Sequence, residues 1–301
     1  MVIQKALAAD HEVTVAETSR RGHASTLARS AARSGADVVA VLGGDGTLNE
    51  AANGLAGTDT ALAALPGGST NVFARTVGMP NDPIEATGVL LDALAVDSVR
   101  PAGLGTVGGR YFLFHVGIGF DAAVVRQVER RSGIKRYAGH PLFVYAAIAT
   151  WLRHYDRSQP HFAVAHDDGS TVDDGYLAIC CNTSPYTFLG NLPLNVAPDA
   201  GLDRGLALVT IRSLALPTIL GAAASALRTG QWLRSSDNVD YRTDLAGFRV
   251  EGHRPVPYQV DGDDLGDATS LVFEHRPEAL RLVTPPGAPG PPRDDRGPDG
   301  S

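Results

Sequence analysis

Apolar residues in the first hundred positions alternate between a helical spacing and short buried runs. Alternation of this kind is typical of a parallel sheet covered by helices on both faces. We therefore expect an α/β domain over residues 1–98. Its predicted helices are 2–9, 24–34, 47–55, 71–77 and 82–93, and its predicted strands are 11–17, 37–42 and 60–65.

The pattern changes near residue 99, where short strand-like runs are divided by Gly, Pro and Asp turns. This indicates a β-rich second domain over 99–276, of the sandwich type. The predicted strands are 110–117, 160–165, 175–182, 205–211, 247–251, 256–260 and 270–274, interrupted by helical insertions at 121–154 and 215–233.

The C-terminal end is expected to contain one more strand and a disordered tail. Residues 277–284 form a candidate return strand that could join either domain. The tail, 285–301, has ten Pro or Gly among 17 residues and is predicted to be disordered.

Composition excludes several classes of protein. Only Lys5 and Lys135 are lysines among 26 basic residues, and neither follows the glycine-rich sequence of a P-loop nucleotide site. The two cysteines, Cys180 and Cys181, are adjacent, so neither a disulfide framework nor a zinc site is expected. The longest apolar stretches fall short of the roughly 18 residues of a membrane span, and we expect a cytoplasmic protein.

The strongest chemical signal is the glycine-dense turn Gly43-Gly44-Asp45-Gly46-Thr47, between a buried strand and a helix. Glycine lets backbone N–H groups approach a phosphate, and the helix N-terminus adds partial positive charge. Asp45 could orient the loop or hold a magnesium ion. An alternative is a capping box, in which Thr47 and Glu50 cap the helix.

Two further turns carry polar residues. Pro66-Gly67-Gly68-Ser69 follows the next strand, so both glycine loops are expected at the C-terminal edge of one sheet, flanking one nucleotide. Asp261-Gly262-Asp263-Asp264 is either an ordinary solvated hairpin turn or a source of catalytic carboxylates.

Together these motifs resemble the diacylglycerol kinase catalytic family, which includes bacterial soluble lipid kinases and sphingosine kinases. The resemblance runs from Gly43 through the segment 65–75 and the motif 117–122 to the acidic turn at 260–263, most of the chain. It implies a nucleotide domain followed by a β-sandwich, with the active site in the cleft between them, and ATP and Mg²⁺ as cofactors.

The resemblance also assigns roles to individual residues. Asp261 would be the general base that accepts the proton of a lipid hydroxyl, and Asp263 stands where the family usually has a glutamate. Mg²⁺ would neutralise phosphate charge, without assigned ligands. The predicted nucleotide-binding residues are Thr18, Gly43, Gly44, Asp45, Gly46, Thr47, Leu48, Asn49, Glu50 and Ser69.

Three positions depart from the family pattern. The first strand and its phosphate loop are missing, so we expect the natural start to lie about twenty residues upstream. The second loop has Val72 where a carboxylate is usual. Arg204 occupies the place of a carboxylate that would hold a structural magnesium, which makes that metal doubtful.

The predicted function is an ATP-dependent lipid kinase, with diacylglycerol as the first choice of acceptor. One alternative is an NAD kinase-like enzyme; the NAD kinases use a separate Asn-Glu pair far downstream, whereas the only such pair here is Asn49-Glu50. The other alternative is a non-catalytic nucleotide- or lipid-binding module.

The predicted partner is a lipid substrate at the inner face of the membrane. A basic cluster followed by the apolar segment 141–152 could dock on anionic lipid, or could be a solvated helix face followed by a buried helix. No nucleic-acid partner is expected, and a homo-oligomer is left open. The basic residues are Arg126, Arg130, Arg131, Lys135 and Arg136.

Overall fold

The computed structural model describes residues 2–129 and 155–287. Its first part alternates helices with strands, as the apolar pattern predicts. The helices are α1 (Val2–Leu7), α2 (His23–Arg33), α3 (Asp45–Leu55), α4 (Val72–Thr76) and α5 (Pro83–Ala95), and the strands are β1 (Val38–Gly43) and β2 (Ala61–Pro66).

The rest of the described chain is mostly strand. The strands are β3 (Val99–Val107), β4 (Arg110–Phe112), β5 (His115–Gly119), β6 (Phe162–His166), β7 (Thr171–Gly175), β8 (Leu177–Cys181), β9 (Thr187–Leu189), β10 (Leu192–Leu194), β11 (Leu206–Ile211), β12 (Val239–Leu245), β13 (Gly247–Val260) and β14 (Asp263–Val283). The helices between them are α6 (Phe120–Glu129), α7 (Leu216–Ala226) and α8 (Gln231–Ser235).

One face of α3 shows why the first part folds around β2. Leu48, Ala51, Ala52 and Leu55 recur at helical spacing and are all buried, so this face packs into the core. All six residues of β2 are buried as well. A strand that is buried along its whole length belongs in the middle of a covered sheet.

β14 joins the two parts into one sheet. Its end pairs in parallel with β2, where Arg281 is opposite Ala61 and Leu282 opposite Leu62. Along its length it also pairs antiparallel with β13 and β3. The candidate return strand is therefore the end of this long strand, and it returns to the first domain's sheet.

The described residues form a 12-stranded sheet with a main path in the order β1-β2-β14-β13-β5-β8-β11-β12. Strands β3, β4, β6 and β7 branch from this path, and β9 and β10 form a separate hairpin. The predicted fold class, an α/β domain followed by a β-rich domain, is confirmed. The exact domain limits stay a prediction.

Several predicted elements were wrong in detail. The strand predicted over 11–17 is absent: residues 12–19 are mostly exposed and pair with no described strand. β3 was missed because Pro101, Gly103 and Gly105 interrupt its apolar pattern. β13 was predicted as two strands because its register shifts between Glu251 and Val256.

The remaining differences concern insertions and ends. The predicted helix over 215–233 is two helices, α7 and α8, separated by a short turn that contains Gly230 with φ of 70°. The helix predicted over 121–154 is described only as α6, and residues 130–154 lie outside the described residues. The predicted disordered tail also lies outside them, apart from 285–287.

Candidate active site

The two glycine loops touch each other at the ends of β1 and β2. The N–H of Gly67 donates to the carbonyl of Gly43 at 3.0 Å. A Cβ on Gly68 would lie 2.7 Å from the Cα of Gly44, a distance that no other residue type could tolerate without a shift of the backbone. The predicted meeting of the two loops at one sheet edge is therefore present in the fold.

The side chain of Asp45 links the first glycine loop to α4, the helix that follows the second glycine loop. Its two carboxylate oxygens accept hydrogen bonds from the N–H groups of Val72 and Phe73, each at 3.0 Å. Burial raises the pKa of Asp45, although these backbone bonds oppose the rise. Of the two roles considered for Asp45, the geometry supports orientation of the loop.

The capping-box alternative is wrong. Helix α3 begins at Asp45 with Gly44 as its N-cap, so Thr47 is already inside the first turn. Glu50 instead accepts from the N–H groups of Gly22 at 2.7 Å and Ala24 at 3.2 Å. Glu50 thus holds the first turn of α2, a neighbouring helix.

The acidic turn is a hairpin turn, but its first carboxylate is buried. Val260 pairs with Asp263, so Asp261 and Gly262 form a two-residue hairpin turn, with φ of 49° and 84°. The carboxylate of Asp261 is not solvated, however, because the residue is only 6% exposed. The hairpin turn therefore places the Asp261 carboxylate in the interior of the protein.

Four donors from the described part of the chain surround the Asp261 carboxylate. Oδ1 accepts from the N–H groups of Phe114 and His115, each at 3.0 Å. Oδ2 accepts from the Leu113 N–H and from the side-chain amide of Asn49, each at 2.7 Å. Burial raises the pKa of Asp261 to about 6 against the opposing effect of these four hydrogen bonds.

Asp263 lies in the same turn but in a charged and more open environment. Its side chain is 24% exposed and pairs with Arg21 and Arg110, each at 3.1 Å. Arg21 precedes α2, whereas Arg110 begins β4. The turn is therefore bound electrostatically to both parts of the chain.

Two of the predicted nucleotide-binding residues have buried side chains. Leu48 is fully buried and Asn49 is 1% exposed, because both face inward from α3. The side chain of Leu48 belongs to the core, and that of Asn49 to the contacts of Asp261. The predicted nucleotide-binding roles of these and the other residues stay predictions.

The remaining predicted residues lie at the surface around the loops. Ser69 is exposed in the second loop, and Thr47 packs beside Gly43, where a Cβ would approach it to 3.0 Å. Thr18 is exposed in the segment before α2, four residues from Gly22, which Glu50 holds. Gly43, Gly44 and Gly46 occupy the turn itself.

Sequence reasoning missed the side chains that surround the acidic turn. Gln259 is fully buried; its amide nitrogen donates to Asp121 at 2.9 Å, and its oxygen accepts from the Gly262 N–H at 2.8 Å. Tyr186 donates its hydroxyl to Asp121 at 2.7 Å. Arg21 and Arg110 were also missed, because an arginine in a loop or at a strand end carries no sequence signal of its own.

Of the predicted basic docking cluster, only Arg126 lies within the described residues. Arg126 donates to Asp264 at 2.8 and 3.0 Å and to Asp267 at 2.8 Å, and these carboxylates raise its pKa. Arg126 is therefore paired with Asp264 of the acidic turn and with Asp267 of β14. The other four basic residues and the apolar segment 141–152 lie outside the described residues.

The described residues contain neither a metal-binding cluster nor a membrane-spanning helix. Within 2–129 and 155–287, no group of three or more His, Cys, Asp or Glu side chains is arranged to hold a metal ion. Within the same ranges, no helix combines the length and the apolarity needed to cross a bilayer.

Comparisons with known families match both parts of the chain. Residues 1–106 match the diacylglycerol kinase catalytic domain, and residues 115–284 match the YegS C-terminal NAD kinase beta sandwich-like domain.

Among curated relatives, a probable lipid kinase YegS-like from Pseudomonas aeruginosa is 30% identical over 297 residues, covering 95% of this chain and 90% of that protein. A diacylglycerol kinase from Bacillus subtilis is 38% identical over 115 residues, 37% of each chain. The alignment with the Bacillus subtilis protein thus covers little more than a third of its length.

Solved structures show the same fold at low sequence identity. A crystal structure of a diacylglycerol kinase from Bacillus anthracis aligns with a TM-score of 0.68 at 21% identity, covering 94% of this chain and 89% of that one. An NAD kinase from Archaeoglobus fulgidus aligns with a TM-score of 0.52 at 13% identity, covering 95% and 89%. At these identities the likeness concerns the fold alone.

Proposed function

The chain belongs to the diacylglycerol kinase catalytic-domain family of YegS-like lipid kinases, and on this premise we propose that it transfers the γ-phosphoryl group of ATP to diacylglycerol. The product would be phosphatidic acid. The Bacillus subtilis relative, a diacylglycerol kinase, supports this choice of acceptor over the part of the chain that it matches.

The observation that carries the proposal is the hydrogen bond between Asn49 and Asp261, at 2.7 Å. Asn49 lies about one turn into α3, whose N-terminus is formed by the first glycine loop. The bond therefore fixes the acidic turn close to the helix end that would bind phosphate. Phosphoryl transfer requires this proximity between a phosphate cradle and a carboxylate.

In the proposed reaction, backbone N–H groups of the first glycine loop hold the ATP phosphates, joined by Ser69 of the second loop, whose Gly67 and Gly68 N–H groups already donate within the protein. The lipid hydroxyl attacks the γ-phosphorus, its proton passes to a carboxylate oxygen of Asp261, and ADP leaves. Above its pKa of about 6, Asp261 is ionised and able to accept that proton. One of its four donors must first move away, and Asn49 is the only side chain among them.

Mg²⁺ is part of the proposal only as an ion that arrives with ATP. A magnesium ion in a kinase usually takes one or two carboxylates in addition to phosphate oxygens. The nearby carboxylates are already engaged, Asp45 with backbone N–H groups and Asp263 with two arginines. The described residues therefore do not form a ready magnesium site, and no step of the reaction is assigned to the metal.

An NAD kinase-like activity has less support. The chain's one Asn-Glu pair is engaged in structural contacts, Asn49 with Asp261 and Glu50 with the turn before α2.

A non-catalytic binding module would use the same glycine loops without proton transfer. We also propose that the protein acts from the cytoplasm in transient contact with the inner membrane face, where its lipid substrate lies.

The test is a labelled-ATP transfer assay with diacylglycerol, a sphingoid base and NAD as separate acceptors. The proposal predicts label in diacylglycerol; label confined to NAD would overturn it, and ATP binding without transfer to any acceptor would favour the binding module. Asp261→Asn is expected to lose nearly all transfer, and retained turnover would exclude Asp261 as the base.

A paired glycine substitution tests the nucleotide site itself. Gly68→Ala would place a Cβ 2.7 Å from Gly44 and separate the loops, so ATP affinity should fall at least tenfold. The matched control is Gly88→Ala on α5, where a Cβ meets nothing within 4 Å. ATP affinity should be unchanged in the control.

A further inference from the structure

Arg110 donates hydrogen bonds to Asn49 and to Asp263 of the acidic turn. Its Nε and Nη2 both donate to Oδ1 of Asn49, at 3.1 and 2.7 Å. Nη2 also donates to Oδ2 of Asp263 at 3.1 Å. Arg110 follows Gly108 and Gly109, whose positive φ values of 58° and 78° form the tight turn that begins β4.

The contact with Arg110 supports the orientation in which the Asn49 amide nitrogen faces Asp261, together with a weaker bond from the Asn53 amide to Oδ1 at 3.3 Å. Because Oδ1 accepts from the guanidinium, the amide nitrogen is directed to Asp261 at 2.7 Å and to the carbonyl of Tyr111 at 2.9 Å. The reversed amide would place its NH₂ group against the guanidinium and its oxygen against a carboxylate. Both contacts would then be repulsive.

We infer that Arg110 is a positioning residue: by holding Asn49 in one orientation, it keeps an amide donor on Asp261 and favours the ionised form of that carboxylate. The inference rests on the proposed function only where kinetics are concerned. The contact network itself exists whether or not the protein transfers phosphate.

Other charged or titratable groups lie near Asp261 but do not hold the Asn49 amide. His115 from β5 is buried, which lowers its pKa to about 3, so it is neutral over the pH range of interest. Asp121 from α6 is separated from the turn by Gln259. Asp263 and Arg21 face the turn from its open side. Among the described neighbours, Arg110 is the cation hydrogen-bonded to a side chain that touches Asp261.

The expected direction follows from the contacts. The bond from Asn49 lowers the pKa of Asp261, opposing the larger effect of burial. Arg110→Met removes the two guanidinium bonds that hold Oδ1 of Asn49, so the bond from Asn49 to Asp261 should weaken and the pKa of Asp261 should rise. The acidic limb of kcat/KM, which reports the free enzyme's base, should move to higher pH by about one unit.

The experiment measures Asp261 directly by carboxyl ¹³C NMR and, in parallel, the pH profile of kcat/KM for diacylglycerol. Arg110→Met should shift both midpoints upward, and Arg110→Lys, which keeps a charge and a donor, should restore part of the shift. The matched control is Arg21→Met, which removes an arginine from the same Asp263 carboxylate without touching Asn49. Its midpoint should stay at the wild-type value.

A double variant tests whether Arg110 acts through Asn49. In an Asn49→Ala background, Arg110→Met should add little further shift, because the relay is already broken. An unshifted midpoint in Arg110→Met, or a full further shift in the Asn49→Ala background, would overturn the inference. If the NMR midpoints move as expected while no acceptor is phosphorylated, the proposed function fails and the inference stands.

Discussion

The tie between Asp45 and α4 leads to a specific prediction for Asp45→Ala. The substitution removes two hydrogen bonds from a carboxylate to the N–H groups of Val72 and Phe73, which are buried residues. Each bond of this kind contributes about 1–2 kcal/mol, so the free energy of unfolding should fall by about 2–4 kcal/mol. ATP affinity should fall as well, because α4 follows directly on the second glycine loop.

Asp82→Ala provides a matched control. Asp82 also accepts two backbone hydrogen bonds, from Ile84 and Glu85, but at the exposed start of α5. Its loss should cost about 1 kcal/mol and leave ATP affinity unchanged. Urea unfolding and calorimetric ATP titration of both variants measure the two quantities.

One result would refute the reasoning about Asp45. If Asp45→Ala retained wild-type stability and yet lost ATP affinity, Asp45 would act on the nucleotide or its metal ion rather than on the loop. Equal losses of ATP affinity in Asp45→Ala and Asp82→Ala would instead show a general effect of reduced stability.

Two other predictions concern pH and the β9–β10 hairpin. Because folding raises the pKa of Asp261 from its ordinary 3.8 to about 6, the folded state binds the proton more tightly, and stability should fall by about 3 kcal/mol as pH rises from about 4 to above 6. Burial also raises the pKa of Asp45 and Asp121, so urea unfolding should show a larger fall in the wild type than in Asp261→Asn; parallel curves would contradict the prediction. Arg75 lies 3.6 Å from the centre of the Phe188 ring and donates to the Gly190 carbonyl at 3.0 Å. Arg75→Ala should therefore speed hydrogen exchange in 187–194 several-fold, and unchanged exchange would show that Arg75 does not hold the hairpin.

The glycine loops were predictable from sequence because their chemistry is local. A buried strand, a glycine turn and a helix follow one another directly, and the backbone geometry needs no distant partner. The meeting of Gly44 and Gly68 followed from parallel strand order alone. The same local logic failed for Thr47 and Glu50. The capping-box prediction took no account of α2, whose first turn contains the actual hydrogen-bond partners of Glu50.

The contacts of Asp261 could not be predicted, because they join residues far apart in the chain. Asn49, Arg110 and Asp261 come from α3, β4 and the β13–β14 turn, and no spacing rule connects them. The full length of β13 could not be predicted for a different reason. β13 continues through a register shift, so the sequence shows a break where the backbone has none.

The central claim is that ATP and a lipid hydroxyl react at this site, and product stoichiometry tests it most directly. Purified protein is incubated with ATP and dioleoylglycerol in mixed micelles, and ADP and phosphatidic acid are quantified together by mass spectrometry. The account predicts one phosphatidic acid for each ADP formed. ADP without phosphorylated lipid, or no ADP at all, would contradict it.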